Sequence, residues 1–232
     1  MVQLSSDQTV FWAWHGLKIN LTIATTWGLM IVLTVLSWLL THNMARPLSQ
    51  DGRMMAHGRS LLEWLVSFMD EQMREVGLVD TERYLPFVGT VFLFVAASSL
   101  ATILPGYEPP TASLSTTAAL AICVLVAVPL FGIRMRGVGT WLRGYLQPVP
   151  IMLPFNIISE LTRTLALAMR LFGNMMGDGM ILGILLTIAP LFFPVVMKLL
   201  GLLTGMVQAY IFSILTMVYI AAVAGEREME KA

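Results

Sequence analysis

Cysteine is almost absent from this chain, charge is scarce, and no stretch of ordinary soluble composition is long enough to fold by itself. The one cysteine, Cys123, lies in an apolar run with no second cysteine to pair with, which excludes an internal disulfide and thiol redox chemistry. Asp, Glu, Lys and Arg make up 12% of the 232 residues, against roughly 25% in soluble domains, while 57% are hydrophobic. Mean hydropathy is +0.78. Formal net charge is zero, so no basic excess points to nucleic acid. No phosphate-binding loop and no nucleophile-plus-base constellation is present. The three histidines, His15, His42 and His57, lack metal-ligand spacing and read as residues of membrane edges. These absences leave a polytopic membrane protein that is not catalytic alone and implies no cofactor and no metal.

What is present is an all-α pattern of five transmembrane helices and one amphipathic helix, read as a single membrane domain over 1–232. Residues 1–20 are polar, lack the charged-then-apolar order of a cleavable signal, and are expected to lie outside the membrane ahead of a retained helix. An anchor helix follows at 21–41, flanked by Trp12, Trp14 and Trp38 as interfacial aromatics. Over 59–78, Leu61, Leu65, Phe68, Met69, Met73 and Val76 share one helical face, and Glu63, Asp70, Glu71, Arg74 and Glu75 share the other. That pattern suits a helix lying on the membrane surface, and a soluble packing helix would look alike; with no other soluble mass to bury it, the surface is favoured. A transmembrane hairpin spans 85–133, its turn marked by PGYEPPTAS. Pro148, Pro150 and Pro154 precede a long hairpin over 150–224, interrupted near APLFFP, and 225–232 form a charged tail.

Arginine distribution sets the orientation. Arg46, Arg53, Arg59, Arg74 and Arg83 lie between the first two spans, Arg134, Arg136 and Arg143 follow the third, and 105–113 holds none. The positive-inside rule puts the N-terminus outside and, after five crossings, the tail in the cytoplasm.

The last two helices are too long to stand upright. At about 1.5 Å per residue, Pro154 to Ala189 would reach roughly 54 Å, against a hydrocarbon core of about 30 Å. Gly173, Gly177, Gly179 and Gly183 allow a break but equally allow close helix packing, and steep tilt with close packing is the preferred reading; Gly201 and Gly205 extend it to the final helix. Arg170 sits inside this stretch, about sixteen residues past Pro154, too far in for easy snorkelling. An arginine cannot shed its proton there, so it must face a polar cavity, a carboxylate or a partner protein. Arg163, Arg170, Asn174 and Asp178 fall on one inclined stripe. Glu160 is placed to pair with Arg163, and Gln208 is either interhelical glue or a channel-facing partner of Arg170.

Three segments, RLFGNM from Arg170 to Met175, VQAYIFSILTMVY from Val207 to Tyr219, and the turn LPGYEPPTASLSTTAALA, carry a family likeness. The chain resembles subunit a of the F-type ATP synthase over roughly its last 150 residues, a match resting on several motifs in their proper context. The resemblance implies an ion-translocating stator in the bacterial inner membrane, facing a ring of c subunits, held by the subunit b peripheral stalk, and coupling H+ or Na+ flow to ring rotation. It further implies that Arg170 is the essential ion-coupling arginine and that Asn156, Glu160, Arg163, Asn174, Asp178 and Gln208 line the ion pathway. Two positions that hold an acid or histidine in many family members are Gly179 and Gly201 here, and Asn156 stands where glutamate is frequent. The half-channel lining is therefore rearranged, with Asp178 and Glu160 as replacements, or the ion is sodium. A different class of function, a secondary transporter binding an anionic substrate at Arg170, predicts a second broken-helix repeat in the first half of the chain, and none is visible.

Overall fold

The computed structural model describes residues 10–14, 17–42, 53–104, 107, 109–139, 142, 151–188 and 193–224. His15, Arg46, Arg143, Pro148, Pro150 and the tail at 225–232, all used above, lie outside them. The element order is a hairpin of β1 (Val10–Trp14) and β2 (Leu17–Asn20), then helices α1 (Leu21–His42), α2 (Arg53–Glu75), α3 (Thr81–Leu100), α4 (Leu114–Arg136), α5 (Met152–Ile188) and α6 (Phe193–Ala224). Two short 3₁₀ turns, Ala101–Ile103 and Pro110–Ala112, lie between α3 and α4. Every helix but α2 contains a window long and apolar enough to cross a membrane, which makes this an all-α membrane protein with five candidate spans. The strand hairpin is antiparallel, pairing Trp12 with Ile19 and Trp14 with Leu17, and no periodicity in the sequence announced it.

Helix α3 is the centre of the packing. Tyr84, Val88, Val91 and Val95 follow one another at steps of four and three and are all buried, with Phe92, Ala96, Ser98 and Ser99 buried beside them. Against this face lies α6, burying Ala209, Phe212, Met217 and Ile220, while α4 contributes Val124 and Val128 and α5 contributes Leu167 and Leu171. A buried side chain of this kind is worth about 1.5–3 kcal/mol where the alternative is water. In a bilayer that term vanishes, and close fit between helices takes its place.

Chain punctuation follows local chemistry. Helix α2 ends in a Schellman motif: Gly77, at φ 94°, donates its N–H to the Arg74 carbonyl at 3.0 Å, and Leu78 donates to Met73 at 2.9 Å. Leu78 and Met73 are both buried, supplying the apolar contact that accompanies this cap.

Helix α2 divides its apolar face between the core and an exposed stretch. It starts at Arg53, six residues before Arg59, and its C-terminal half buries Met69 and Met73 in the protein core, while Leu61 and Trp64 are both 63% exposed. Neighbouring helices thus supply a protein surface for one stretch of the apolar face and leave the other exposed. Helix α5 runs unbroken through Gly173, Gly177, Gly179 and Gly183 for 37 residues, about 55 Å, so these glycines do not interrupt it. A Cβ at any of the four would meet nothing within 4 Å, so the close approach expected of them is not made among the described residues, and it is Gly201 and Gly205 of α6 that stand at close contacts.

Candidate functional site

The polar groups of interest lie where α5 and α6 cross beside α3. Leu167, Ala168, Leu171 and Met175 turn one face of α5 inward, and this leaves Arg170 on the exposed face next to Met169 and one turn from Ala166. Among the described residues no carboxylate forms an ion pair with Arg170. An ionised, unpaired guanidinium projects from an apolar helix face, an arrangement that the bare bilayer penalises by at least about 2.5–3.5 kcal/mol at mid-depth.

One turn further along, Asn174 is half-buried and its Nδ2 donates to Gln208 Oε1 on α6 at 2.7 Å. Gln208 is 2% exposed, and its Nε2 has no hydrogen-bond partner among the described residues. The structure therefore brings Asn174 and Gln208 together as an interhelical amide bridge. A buried amide donor without a partner costs about 1–3 kcal/mol, so the site holds an unused donor on the partner of Asn174, one turn along α5 from Arg170.

Another turn on, the half-buried Asp178 carboxylate lies against Gly201 of α6. A Cβ at residue 201 would stand 3.3 Å from Asp178 Oδ2 and 3.7 Å from its Cβ. Glycine at 201 thus opens a notch that seats the acid between the helices. Four residues on, a Cβ at Gly205 would come within 2.6 Å of Ser99 Oγ on α3 and 3.1 Å of Met175 Cε. The approach to Ser99 is closer than a real Cβ comes, so glycine at 205 is what lets α6 lie against α3 there, with the flexible tip of Met175 from α5 close beside it.

On the other side of Arg170, Arg163 lies with its guanidinium carbon 4.8 Å from the Tyr219 ring centroid, a cation–π contact between α5 and α6. Glu160 and Asn156, one and two turns before Arg163, are half-buried. The stripe of Arg163, Arg170, Asn174 and Asp178 is thus held against α6 by three contacts: Arg163 with Tyr219, Asn174 with Gln208 and Asp178 with Gly201. No group of three or more His, Cys, Asp or Glu among the described residues could hold a metal ion. The Ser99 contact had no signal in the sequence, because a serine in an apolar helix has no periodicity of its own.

The fold and the site together define a polytopic helical membrane protein with a guanidinium, two amides and a carboxylate set into its two longest apolar helices. The sequence pattern of the family described as ATP synthase A chain matches residues 23–221. The chain is 59% identical to ATP synthase subunit a of Albidiferax ferrireducens over 227 residues, covering 98% of this chain and 96% of that protein. It is 58% identical to ATP synthase subunit a 1 of Chlorobaculum parvum, covering 98% of each, and 47% identical to ATP synthase subunit a 1 of Crocosphaera subtropica, covering 95% and 94%. The chain belongs to the ATP synthase A chain family and is a membrane subunit of an F-type ATP synthase, with a part in ATP synthesis and ion transport. These likenesses lend no support to the transporter reading.

Proposed function

We propose that this chain is the ion-translocating stator of its ATP synthase, supplying two offset half-channels and, in Arg170, the fixed charge that faces the carboxylates of the c ring. The observation that carries this reading is an unpaired, exposed Arg170 on an apolar helix face, which asks for an anionic partner outside the chain. A ring carboxyl arriving with its ion meets the guanidinium, which stabilises the deprotonated, ion-free form; the ion leaves into one half-channel. Once past Arg170, the carboxylate takes up an ion from the other. A cation crossing without the ring would have to pass the fixed positive charge, so direct leakage is blocked. Each elementary charge crossing at 100 mV supplies about 2.3 kcal/mol, and several must cross for each ATP made.

With the N-terminus outside and the tail in the cytoplasm of a bacterial inner membrane, Asn174, Asp178 and Gln208 line the outer half-channel. Asn156, Glu160 and Arg163 line the inner one. The peripheral stalk of subunit b holds the chain against the turning ring. Arg170→Ala tests the proposal: membrane vesicles should contain the assembled complex but show no ion-coupled ATP synthesis, and normal coupled synthesis would sink the assignment.

A further inference from the structure

Helix α2 carries two stripes with different destinations. Met69 and Met73 enter the core. Trp64, Phe68 and Gln72, also at steps of four, lie along another line, and two of them meet α6. Trp64 and Phe68 stack with ring centroids 5.5 Å apart and planes 11° from parallel; Phe68 in turn meets the Tyr210 ring at 6.0 Å. The stripe ends in a hydrogen bond: Tyr210 Oη donates to Gln72 Oε1 at 2.7 Å. The Gln72 amide is itself oriented, since its Nε2 donates to Glu75 Oε2 at 3.0 Å. Tyr210 follows Gln208 by two residues, about 200° around a helix. Helix α2 thus grips the back of α6 at the level where the front of α6 bonds Asn174.

We propose that Gln72 is a positioning residue, which acts through Tyr210 to fix the rotation of α6 and so to hold Gln208 against Asn174 and Gly201 against Asp178. Glu75 supports it by leaving only the oxygen of the Gln72 amide free to face Tyr210. The arrangement gives α2 a second role besides covering the core, as a clamp on the helix that completes the polar site. Its value for ion transfer rests on the function proposed above; its effect on the position of α6 does not.

The test separates the two. In a Cys123→Ser background, Asp178→Cys with Gly201→Cys reports the position of α6, because 3.7 Å separates the Asp178 Cβ from a Cβ at residue 201, within the roughly 3.5–4.5 Å of a disulfide. In the assembled complex in native membranes, Gln72→Leu and Tyr210→Phe should each slow formation of this disulfide by about threefold or more, as expected for loss of one interhelical hydrogen bond. The exchange Gln72→Glu with Glu75→Gln, which keeps an acceptor for Tyr210 and a donor at residue 75, should restore the rate. Without the two reporter cysteines, the same single substitutions should lower ATP-driven ion pumping while the amount of assembled complex stays constant. Tyr210→Phe keeps the ring on Phe68, so it decides the matter if Gln72→Leu fails to assemble. Unchanged disulfide rates in the variants that assemble would overturn the clamp. Slowed disulfide formation with full pumping would leave the clamp standing and count against the polar site as an ion pathway.

Discussion

Helices α3 and α5 are both apolar enough to span a bilayer, yet they treat their surfaces in opposite ways. In the span of α3, 44% is buried within the chain; in that of α5, 11% is. Helix α3 has neighbours around it and carries no charge between Arg83 and its end. Helix α5 turns only a narrow line inward and keeps Leu161, Leu165, Met169 and Arg170 on the open side. The difference teaches that exposure has two meanings in a membrane protein. An apolar exposed face is satisfied by lipid, whereas an apolar face interrupted by an arginine carries a cost that lipid tails do not offset, and it is this cost that the proposed ring carboxylate would relieve.

Arg170 breaks the comparison with the largest expected effect. If the open face of α5 meets a carboxylate, even Arg170→Lys should lose coupled ATP synthesis in vesicles, because an ammonium is a point charge without the planar fork of guanidinium. If that face meets only lipid, lysine or leucine should serve equally well, and retained synthesis in both would reduce α5 to a packing helix. Gly205 attacks the other side. Gly205→Val should drive a branched side chain into Ser99 and Met175, costing about 1–3 kcal/mol or more in packing, with loss of assembled complex on native gels. Ser99→Gly should restore part of it, while Ser99→Ala should not, since the Ser99 Cβ is itself 2.7 Å from the new atom.

The spans were legible in the sequence because a bilayer imposes length and composition on a helix whatever its neighbours. The number of long apolar helices and the all-α class follow from that constraint alone. Which face of each helix meets protein was not legible, since lipid and protein interior are equally apolar; the burial of Val88 and the exposure of Val126 have no distinguishing pattern. Polar residues are the exception, because each needs a partner. That need singles out Asn174 and Gln208 before any contact is known, and the structure joins them. Gly201 was visible only as a small residue, and its service as a notch depends on the register between α5 and α6. For α2 the amphipathic pattern registers an apolar face but says nothing of its division between core, Tyr210 and open surface.

Within the polar crossing, intermediate effects are expected. Asp178→Asn should slow ion flux through vesicles stripped of the catalytic head, without changing assembly, if the notch at Gly201 lines the pathway. Gln208→Leu leaves Asn174 without its partner; such interhelical bonds average about 0.6 kcal/mol, so stability should change little. Flux should fall further in the double variant than in either single one. Unchanged rate and pH dependence in Asp178→Asn would remove this acid from the pathway and leave Glu160 and Asn156 as candidates for the lining.

The smallest effect sharpens the contrast from the α3 side, where the chain completes its own polar contacts. Asp70 on α2 is held below the usual carboxylate range, first by a hydrogen bond from the Thr81 side chain and then by Arg74, whose Nε donates at 2.9 Å. Thr81 opens α3, so the carboxylate stands where the positive end of the helix dipole also favours it. The sign follows from the depressed folded value: the contribution is fully present above the unfolded aspartate pKa of about 3.9 and is lost as pH falls through the lower, folded one. Acid should therefore loosen the α2–α3 junction before it affects the α3–α6 contact. Thermal melts of the complex in detergent should show Asp70→Asn slightly less stable than the parent at neutral pH, with the gap closing as pH is lowered below that of the free carboxylate. The site is solvated and the effect correspondingly small. A gap that persists undiminished in acid would show that the contact depends on shape and amide hydrogen bonding rather than on the charge of Asp70.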